Sequence, residues 1–350
     1  MFIASCSYYN TKLRHVKHFT ARRNLFLIGH EFAPDRVLSV YMGVIVGDNE
    51  AMRTYLDCYP CFLRQALEAA RQLGADQYKQ KIVLERVLEL LGSVELSHTP
   101  PEIGDRVHRL IRRELGDGDP YRSFKEKATR EALAVYPRIK SLLEGSDNPL
   151  ETAVRLSIAG NIIDAGANTT YQLWPTVQRV LSQPFAIDDM EVLRRTLSGI
   201  TRVLFLADNA GETVFDRPLI EALEVPVVYA VKGSPILNDA TIEDARMAGI
   251  DQIAQLLSTG SDAPGTILER CSKRFQQVFE ESELVIAKGQ ANYETLSERG
   301  SKVFCLLQAK CPVIARDLQQ VPVGSIVLRR GAPGSTFRPT GEESTNRKPS

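Results

Sequence analysis

The sequence lacks several features that mark whole classes of protein. Lys and Arg together number 43, and so do Asp and Glu, so the formal net charge is zero and the basic excess of a general nucleic-acid binder is missing. No apolar run approaches the roughly 20 residues of a membrane span. Six cysteines in 350 residues are too few for a disulfide-stapled secreted fold. We therefore expect a cytoplasmic protein with reduced thiols and with neither nucleic acid nor membrane as partner.

Common catalytic signatures are also missing. The chain has no Walker motif and no GxGxxG following a strand, which leaves an ordinary NTPase or dinucleotide-binding function without support. The histidines lie in the first third of the chain, away from any predicted strand end: His15, His18, His30, His98 and His108. This placement argues against a His-based triad and against a catalytic zinc site.

The composition and the pattern of apolar residues divide the sequence into four regions. Residues 1–51 fit poorly with the rest of the chain, and we expect a flexible extension, a functional leader or a start site assigned too early. Residues 52–185 carry apolar residues at three-and-four spacing and predict a helical domain. Residues 186–330 alternate short apolar runs with helical stretches, which predicts a mostly parallel sheet flanked by helices. Residues 331–350 are rich in Gly, Pro and Ser and predict a disordered tail.

Polar side chains follow each of the four clearest predicted strands, "RVLFLAD", "PVVYAVKG", "ELVIAKG" and "KVFCLLQA". The carboxyl ends of parallel strands meet at one edge of a sheet, where ligands bind. The polar residues expected there are Asp208, Asn209, Lys232, Asn238, Asp239, Lys288, Gln290, Asn292, Lys310 and Cys311.

Three oxygen donors in this set predict a metal site. Asp208, Asn209 and Asp239 would supply two carboxylates and one amide oxygen, the kind of ligand that Mg²⁺ and Mn²⁺ prefer. A phosphoryl group bound there would need its oxygens neutralised by the metal, by Lys232 or Lys288 and by backbone N–H groups at helix starts. Satisfied loop polarity is the alternative interpretation.

Three further stretches could add to the site. "AGNIIDAGAN" places Asn161, Asp164 and Asn168 on one helix face, either to complete a pocket or to cap a helix. The loop "GSDAPGT" (260–266) could cradle phosphate through backbone amides or could simply be a turn. "CYPC" places Cys58 and Cys61 at a helix start, where a thiol pKa can be lowered, although buried packing thiols are an equal alternative.

The chain resembles the damage-control phosphatases, which carry an ARMT-like metal-binding domain. The resemblance rests on "DCYPCFLRQAL", "GNIIDAGAN", "ADNAGETVFDRPLIEAL", "VKGSPILNDATIEDA", "AKGQANYETL" and "LLQAKCPVIA", in this order. It spans roughly 52–329 and is strongest toward the prokaryotic branch that has a CxxC near its start.

The resemblance implies a helical domain joined to a Rossmann-like α/β domain, with one divalent metal (Mg²⁺, Mn²⁺, Co²⁺ or Ni²⁺) between them. It matches the family's metal ligands to Asp208, Asn209 and Asp239. The implied reaction is hydrolysis of small phosphomonoesters, such as sugar phosphates or damaged phosphometabolites. Asn161, Asp164, Glu212, Lys288 and Asn292 would line the phosphate side of the pocket.

Among these residues we assign roles as follows. Asp164 or Glu212 is expected to position the attacking water or to protonate the leaving group, and Lys288 to neutralise phosphoryl oxygens. Two other functions are compatible with the sequence. One is carboxyl methyl transfer from S-adenosylmethionine, although no glycine-rich adenosine loop follows the first clear strand. The other is a non-catalytic nucleotide or metabolite sensor that uses the same sheet edge.

Overall fold

Helices form the whole first half of the described chain. The structure is a computed structural model that describes residues 52–116, 118–162 and 170–332. Within these ranges, the helices that precede the first strand are α1 (Tyr59–Gln72), α2 (Gln77–Leu91), α3 (Pro100–Leu115), α4 (Arg122–Glu144), α5 (Pro149–Ile162) and α6 (Thr170–Ser182). Helix α3 starts as helices commonly do, with Thr99 at the N-cap, a capping box to Glu102 and prolines in its first turn. None of the described helices is long and apolar enough to cross a membrane.

A seven-stranded sheet comes next in the described residues. Its strands are β1 (Phe185–Asp188), β2 (Val203–Leu206), β3 (Val227–Val231), β4 (Gln255–Ser258), β5 (Leu284–Lys288), β6 (Val303–Gln308) and β7 (Ile326–Arg330). The helices between them are α7 (Met190–Leu197), α8 (Thr213–Ala222), α9 (Ile242–Met247), α10 (Lys273–Glu281), α11 (Gln290–Leu296) and α12 (Pro312–Asp317). The strand order is β1-β7-β6-β5-β2-β3-β4, and every neighbouring pair is parallel except β6 and β7. The predicted mostly parallel sheet with an N-terminal helical region is therefore confirmed.

The strand order reverses direction at β2. From β2 the chain continues outward to β3 and β4, and it then returns to place β5 and β6 on the other side of β2. In sheets with such a reversal, the loops after the strands on either side of it run in opposite directions, and we call the region at the carboxyl ends of β2 and β5 the crevice. Crevices of this kind are where open α/β sheets bind their ligands.

Both faces of the central strands are covered by apolar side chains. Val203 and Phe205 of β2 belong to the core on one face, and Leu204 and Leu206 belong to the core on the other face. The first core also contains residues of α4, α5, α6 and α8, whereas the second contains residues of α10, α11 and α12. Helices α1, α2 and α3 pack mainly around a third apolar cluster. Burial on both sides explains why these strands are continuous apolar runs.

Residues on both sides of the predicted 185/186 boundary share the first core, because α5 packs closely against α8. Gly160 permits this approach: a Cβ at that position would lie 2.7 Å from the Cβ of Phe215. The close packing carries the C-terminal end of α5 to the crevice beside β2. The proposed domain division stays a prediction, and residues 1–51 and 333–350 lie outside the described residues.

Candidate active site

The crevice between β2 and β5 contains the first predicted metal ligands. Asp208 and Asn209 follow β2 directly, and both are buried. The space for the Asp208 carboxylate exists because residue 289, at the end of β5, is a glycine with φ +81°. A Cβ at Gly289 would overlap Asp208 Oδ2 and lie 3.0 Å from Asp208 Cβ. The β2 carboxylate therefore packs directly over the backbone that leaves β5.

The segment with the third predicted ligand runs beside the first two. The N–H of Ala240 donates to the carbonyl of Asp208 at 2.8 Å, and the N–H of Ala210 donates to the carbonyl of Asn238 at 2.9 Å. These two bonds make an isolated antiparallel bridge between Asn209 and Asp239. The structure thus brings the backbones of Asp208, Asn209 and Asp239 together, and their assignment as metal ligands stays a prediction.

Helix α5 adds an amide to this group. Asn161 is fully buried, and its Nδ2 donates to Asp208 Oδ2 at 2.6 Å and to Glu212 Oε2 at 2.9 Å. The Nδ2 of Asn209 donates to the same two carboxylates at 3.2 and 3.3 Å. Asn161 Oδ1 is buried and finds no hydrogen-bond donor among the described residues. A buried amide oxygen of this kind is an acceptor prepared for a donor or a cation.

Lys288 lies beneath the carboxylates and is fully buried. Its ammonium donates to Glu212 Oε1, to Asp216 Oδ1 at 2.7 Å and to the Ser157 carbonyl at 3.1 Å. Burial by itself lowers the pKa of Lys288, but the charges of Asp216 and Glu212 outweigh it and raise the pKa, so the side chain is charged. Each of its three N–H groups has a protein acceptor. Direct contact with phosphate stays a prediction, and it would require one of these bonds to be exchanged.

Sequence reasoning missed the second half of this network. Asp216 accepts a hydrogen bond from the Ser157 hydroxyl at 2.6 Å and from the Tyr229 hydroxyl at 2.7 Å. Burial raises the pKa of Asp216, although Lys288 opposes the shift. Helical spacing is the signal that could have found these residues. Asp216 lies four residues after Glu212, and Ser157 four residues before Asn161, so each pair shares a helix face.

Asn292 has a full set of partners within the fold. Its Nδ2 donates to the carbonyls of Lys288 at 2.8 Å and Ala207 at 3.1 Å, and its Oδ1 accepts from Thr266 Oγ1 at 2.7 Å. In these contacts it ties the ends of β2 and β5 to the loop at 260–266. Its predicted role in phosphate binding stays untested.

The loop at 260–266 is held by a second cation. Lys232 is buried, donates to the Gly265 carbonyl and lies 3.4 Å from Asp239 Oδ2. Lys232 therefore connects the loop to a predicted metal ligand. Whether the backbone amides of this loop bind phosphate stays a prediction.

Asp164 and Asn168 lie outside the described residues, so the helix face predicted to contain them is represented here by Asn161 alone. Asp164 keeps its proposed catalytic role as a prediction.

A small cavity of about 20 Å³ adjoins the crevice on the side of α4. Asn209, Gly211, Glu212 and Lys125 are among its lining residues. This volume has room for roughly one water molecule. Lys125, which sequence reasoning also missed, is buried and pairs at 2.9 Å with both Asp119 and Asp244.

The electrostatics of the crevice favour a cation. Four carboxylates, those of Asp208, Glu212, Asp216 and Asp239, are buried here with two ammonium groups, those of Lys232 and Lys288. Carboxylates that are buried close together are stabilised by a nearby cation. Among the described residues, no three His, Cys, Asp or Glu side chains form a metal cluster by themselves. A cation here would therefore need amide oxygens as well, and Asn161 and Asn209 fit that requirement.

The CxxC at the start of α1 consists of Cys58 and Cys61. The five described cysteines, Cys58, Cys61, Cys271, Cys305 and Cys311, are free thiols. A helix start can lower a thiol pKa, but burial raises the pKa of Cys58 to about 11. Cys58 and Cys311 pack against the second core. For Cys58 these observations favour the packing alternative over an activated nucleophile, and the role of the CxxC stays open.

The chain is similar in sequence to several known proteins. Residues 54–326 match the family model of the damage-control phosphatase ARMT1-like domain. An uncharacterised protein of Methanocaldococcus jannaschii is 37% identical over 292 residues, which cover 80% of this chain and 96% of the relative. A protein of Archaeoglobus fulgidus named damage-control phosphatase is 35% identical over 283 residues, 78% of this chain and 97% of the relative.

A solved structure has a similar fold. The crystal structure of a DUF89 family protein from Pyrococcus horikoshii superposes with a TM-score of 0.74 at 32% identity, covering 80% of this chain and all of that one. A Pyrococcus horikoshii relative named damage-control phosphatase is 33% identical over 286 residues, 80% of this chain and 98% of its own length.

Proposed function

We propose, for a chain that belongs to the damage-control phosphatase ARMT1-like family, that it hydrolyses small phosphomonoesters with the help of one divalent cation. The observation that carries the proposal is the buried crevice between β2 and β5. There four buried carboxylates lie close to two buried ammonium groups at the switch point of the sheet, and the Asn161 amide oxygen accepts no hydrogen bond from the described residues. The family membership supports phosphatase chemistry, and the crevice supports the cation.

Asp208, Asn209 and Asp239 would hold the cation, which we expect to be Mg²⁺, Mn²⁺, Co²⁺ or Ni²⁺. When bound, such an ion neutralises phosphoryl oxygens and acidifies a water molecule. The rigid surroundings suit this role, because Asn161 orients the Asp208 carboxylate and Gly289 leaves space for it. Preorganised ligands need little rearrangement when a charged substrate arrives.

Glu212 is the carboxylate that we assign to the attacking water. It lines the small cavity beside Asn209, and Lys288 and Asn161 hold its two oxygens. As water attacks, Glu212 accepts its proton while the new P–O bond forms. The ester P–O bond breaks, and the alcohol leaves with a proton that Glu212, or Asp164 in the undescribed segment, returns to it.

Lys288 serves first to orient Glu212. Its three contacts, to Glu212, Asp216 and Ser157, lock the ammonium in place. We retain its predicted electrostatic contribution to the phosphoryl oxygens, to which backbone N–H groups at the start of α8 also contribute.

A panel of phosphorylated metabolites, assayed for released phosphate with and without each of the four metals, tests the proposal. We expect metal-stimulated release from a subset of small phosphomonoesters. Ligand binding without phosphate release across the whole panel would instead identify a sensor. Calorimetric binding of S-adenosylmethionine to metal-free protein, with no hydrolysis, would identify the methyltransferase alternative.

A further inference from the structure

A second polar site lies on α3, apart from the crevice residues. A groove of about 630 Å³ is lined by Leu90, Arg106, Arg109, Arg112, Arg113, Asp262 and Arg270. We call it the arginine groove. Four of its arginines come from two turns of α3, and the fifth comes from a short 3₁₀ helix, Leu268–Arg270, that follows the loop at 260–266.

Two carboxylates hold three of the guanidinium groups in a chain of ion pairs. Asp262 pairs with Arg112 at 2.7 Å and with Arg270 at 2.9 Å. Asp105 pairs with Arg270 at 3.2 Å and with Arg109 at 3.1 Å. Each guanidinium has five N–H donors, so these contacts fix the side chains, and Arg109 and Arg270 keep donors for a ligand.

The other two arginines raise the charge without a compensating carboxylate in this chain of ion pairs. Arg113 is exposed, and so is Arg106, whose Nη2 lies 2.9 Å from His98 Nε2. Five arginines against Asp105 and Asp262 leave a formal charge of +3 in a protein whose overall charge is zero. Such a concentration of one sign creates a local positive field and attracts anions.

The side chains that line the groove indicate which kind of ligand it can bind. Guanidinium groups match phosphate oxygens in bidentate geometry, and their planar shape favours them over lysines for this purpose. A volume of about 630 Å³ suits a small molecule rather than a single ion. A charge of +3 matches a ligand with several negative charges.

We propose that the arginine groove binds an oligophosphate, a small molecule with two or more linked phosphate groups. The site shares no lining residue with the crevice and does not depend on the phosphatase proposal. We assign it binding alone, because both carboxylates are engaged in ion pairs with arginines.

Calorimetric titration of inorganic tripolyphosphate into the full chain, in the presence of a chelator and without added metal, tests this proposal. Wild-type protein should bind saturably with a Kd below about 1 mM. The variant Arg106→Gln/Arg113→Gln should bind at least about tenfold more weakly, because it removes two charge-assisted donors. This variant keeps the Arg112–Asp262 and Arg270–Asp105 ion pairs, which connect α3 to the loop at 260–266 and to the 3₁₀ helix, so it should fold.

Two further variants separate the arginine groove from other anion contacts. Arg86→Gln/Arg195→Gln removes the same charge from exposed positions on α2 and α7 and should bind like wild type. Asp208→Asn alters the crevice and should also leave the Kd unchanged, even if it abolishes hydrolysis. The proposal is overturned if wild type shows no saturable binding, if both double variants weaken binding equally, or if Asp208→Asn changes the Kd while Arg106→Gln/Arg113→Gln does not.

Discussion

Substitution of a single glycine tests whether the Asp208 carboxylate depends on the backbone of β5. In Gly289→Ala, the new methyl group would overlap Asp208 Oδ2, and φ at this position is +81° with ψ 170°. The carboxylate would have to move away from β5. It would then lose the hydrogen bonds donated by Asn161 at 2.6 Å and Asn209 at 3.2 Å.

The expected loss in free energy of unfolding is the sum of two separate contributions. Holding a side-chain-bearing residue at such a backbone conformation costs about 1–3 kcal/mol. Losing charge-assisted hydrogen bonds to a buried carboxylate costs about 2–3 kcal/mol more. The free energy of unfolding should therefore fall by about 3–6 kcal/mol, a large part of the roughly 5–15 kcal/mol of an ordinary domain.

Gly300→Ala is the matched control. Gly300 also has a positive φ, +102°, but a Cβ there meets no atom within 4 Å. It should lose only the backbone contribution, about 1–3 kcal/mol. Denaturant unfolding of both variants, with Mn²⁺ titration calorimetry on the folded proteins, measures the difference. If Gly289→Ala is no more destabilised than Gly300→Ala and binds Mn²⁺ equally well, the proposed packing of Asp208 over Gly289 is wrong.

Three further predictions concern buried charge. Lys288→Met should reduce the free energy of unfolding by about 3–5 kcal/mol, because it leaves the buried carboxylates of Glu212 and Asp216 without their ammonium partner. In a double-mutant cycle, adding Asp216→Asn should recover part of this loss. Burial, and then Arg112, lower the pKa of His108 to about 4. As the pH falls, His108 therefore takes up a proton in the unfolded chain at a higher pH than in the folded protein. The free energy of unfolding should fall by up to about 3 kcal/mol as pH drops from about 6.5 to 4, and His108→Leu should remove this effect. Burial raises the pKa of Glu294 to about 8. The stability that this raised pKa gives the folded protein is complete below about pH 4.5 and should be lost as the pH rises to 8. Relative to wild type, Glu294→Gln should therefore be more stable at pH 8 than at low pH.

Each of these has a contrary outcome. Additive effects of Lys288→Met and Asp216→Asn would mean that the two side chains do not interact. An acid unfolding profile of His108→Leu parallel to that of wild type would show that His108 titrates normally in the folded protein. The same stability difference between Glu294→Gln and wild type at pH 5 and pH 8 would show that Glu294 is ionised throughout.

Strands that are buried on both faces were predictable from the sequence. The apolar runs that became β2, β3, β5 and β6 are central and covered by helices on each side, so their composition signals a strand without alternation. The runs at β1 and β4 are four residues long, lie at the edges of the sheet and expose part of their length. Short edge strands carry too little pattern to be distinguished from loops.

The polar residues show a similar division. Asp208, Asn209 and Asp239 were predictable as neighbours because parallel strands deliver their carboxyl ends to one edge. The contacts of Lys288 with Ser157 and Asp216 were not predictable. They depend on the approach of α5 to α8, which buries Ser157 against Asp216 and is set by the packing around Gly160. Periodicity identifies a shared helix face, but it does not identify the element that this face will meet.

Hydrolysis of p-nitrophenyl phosphate by wild type, Asp208→Ala and Asp239→Ala, with and without Mn²⁺, is the decisive assay for a cation in the crevice. We predict metal-stimulated hydrolysis by wild type and its loss, by at least about a hundredfold, in each variant with the fold retained by circular dichroism. Wild-type metal-stimulated activity in either variant would contradict a cation shared by these two carboxylates.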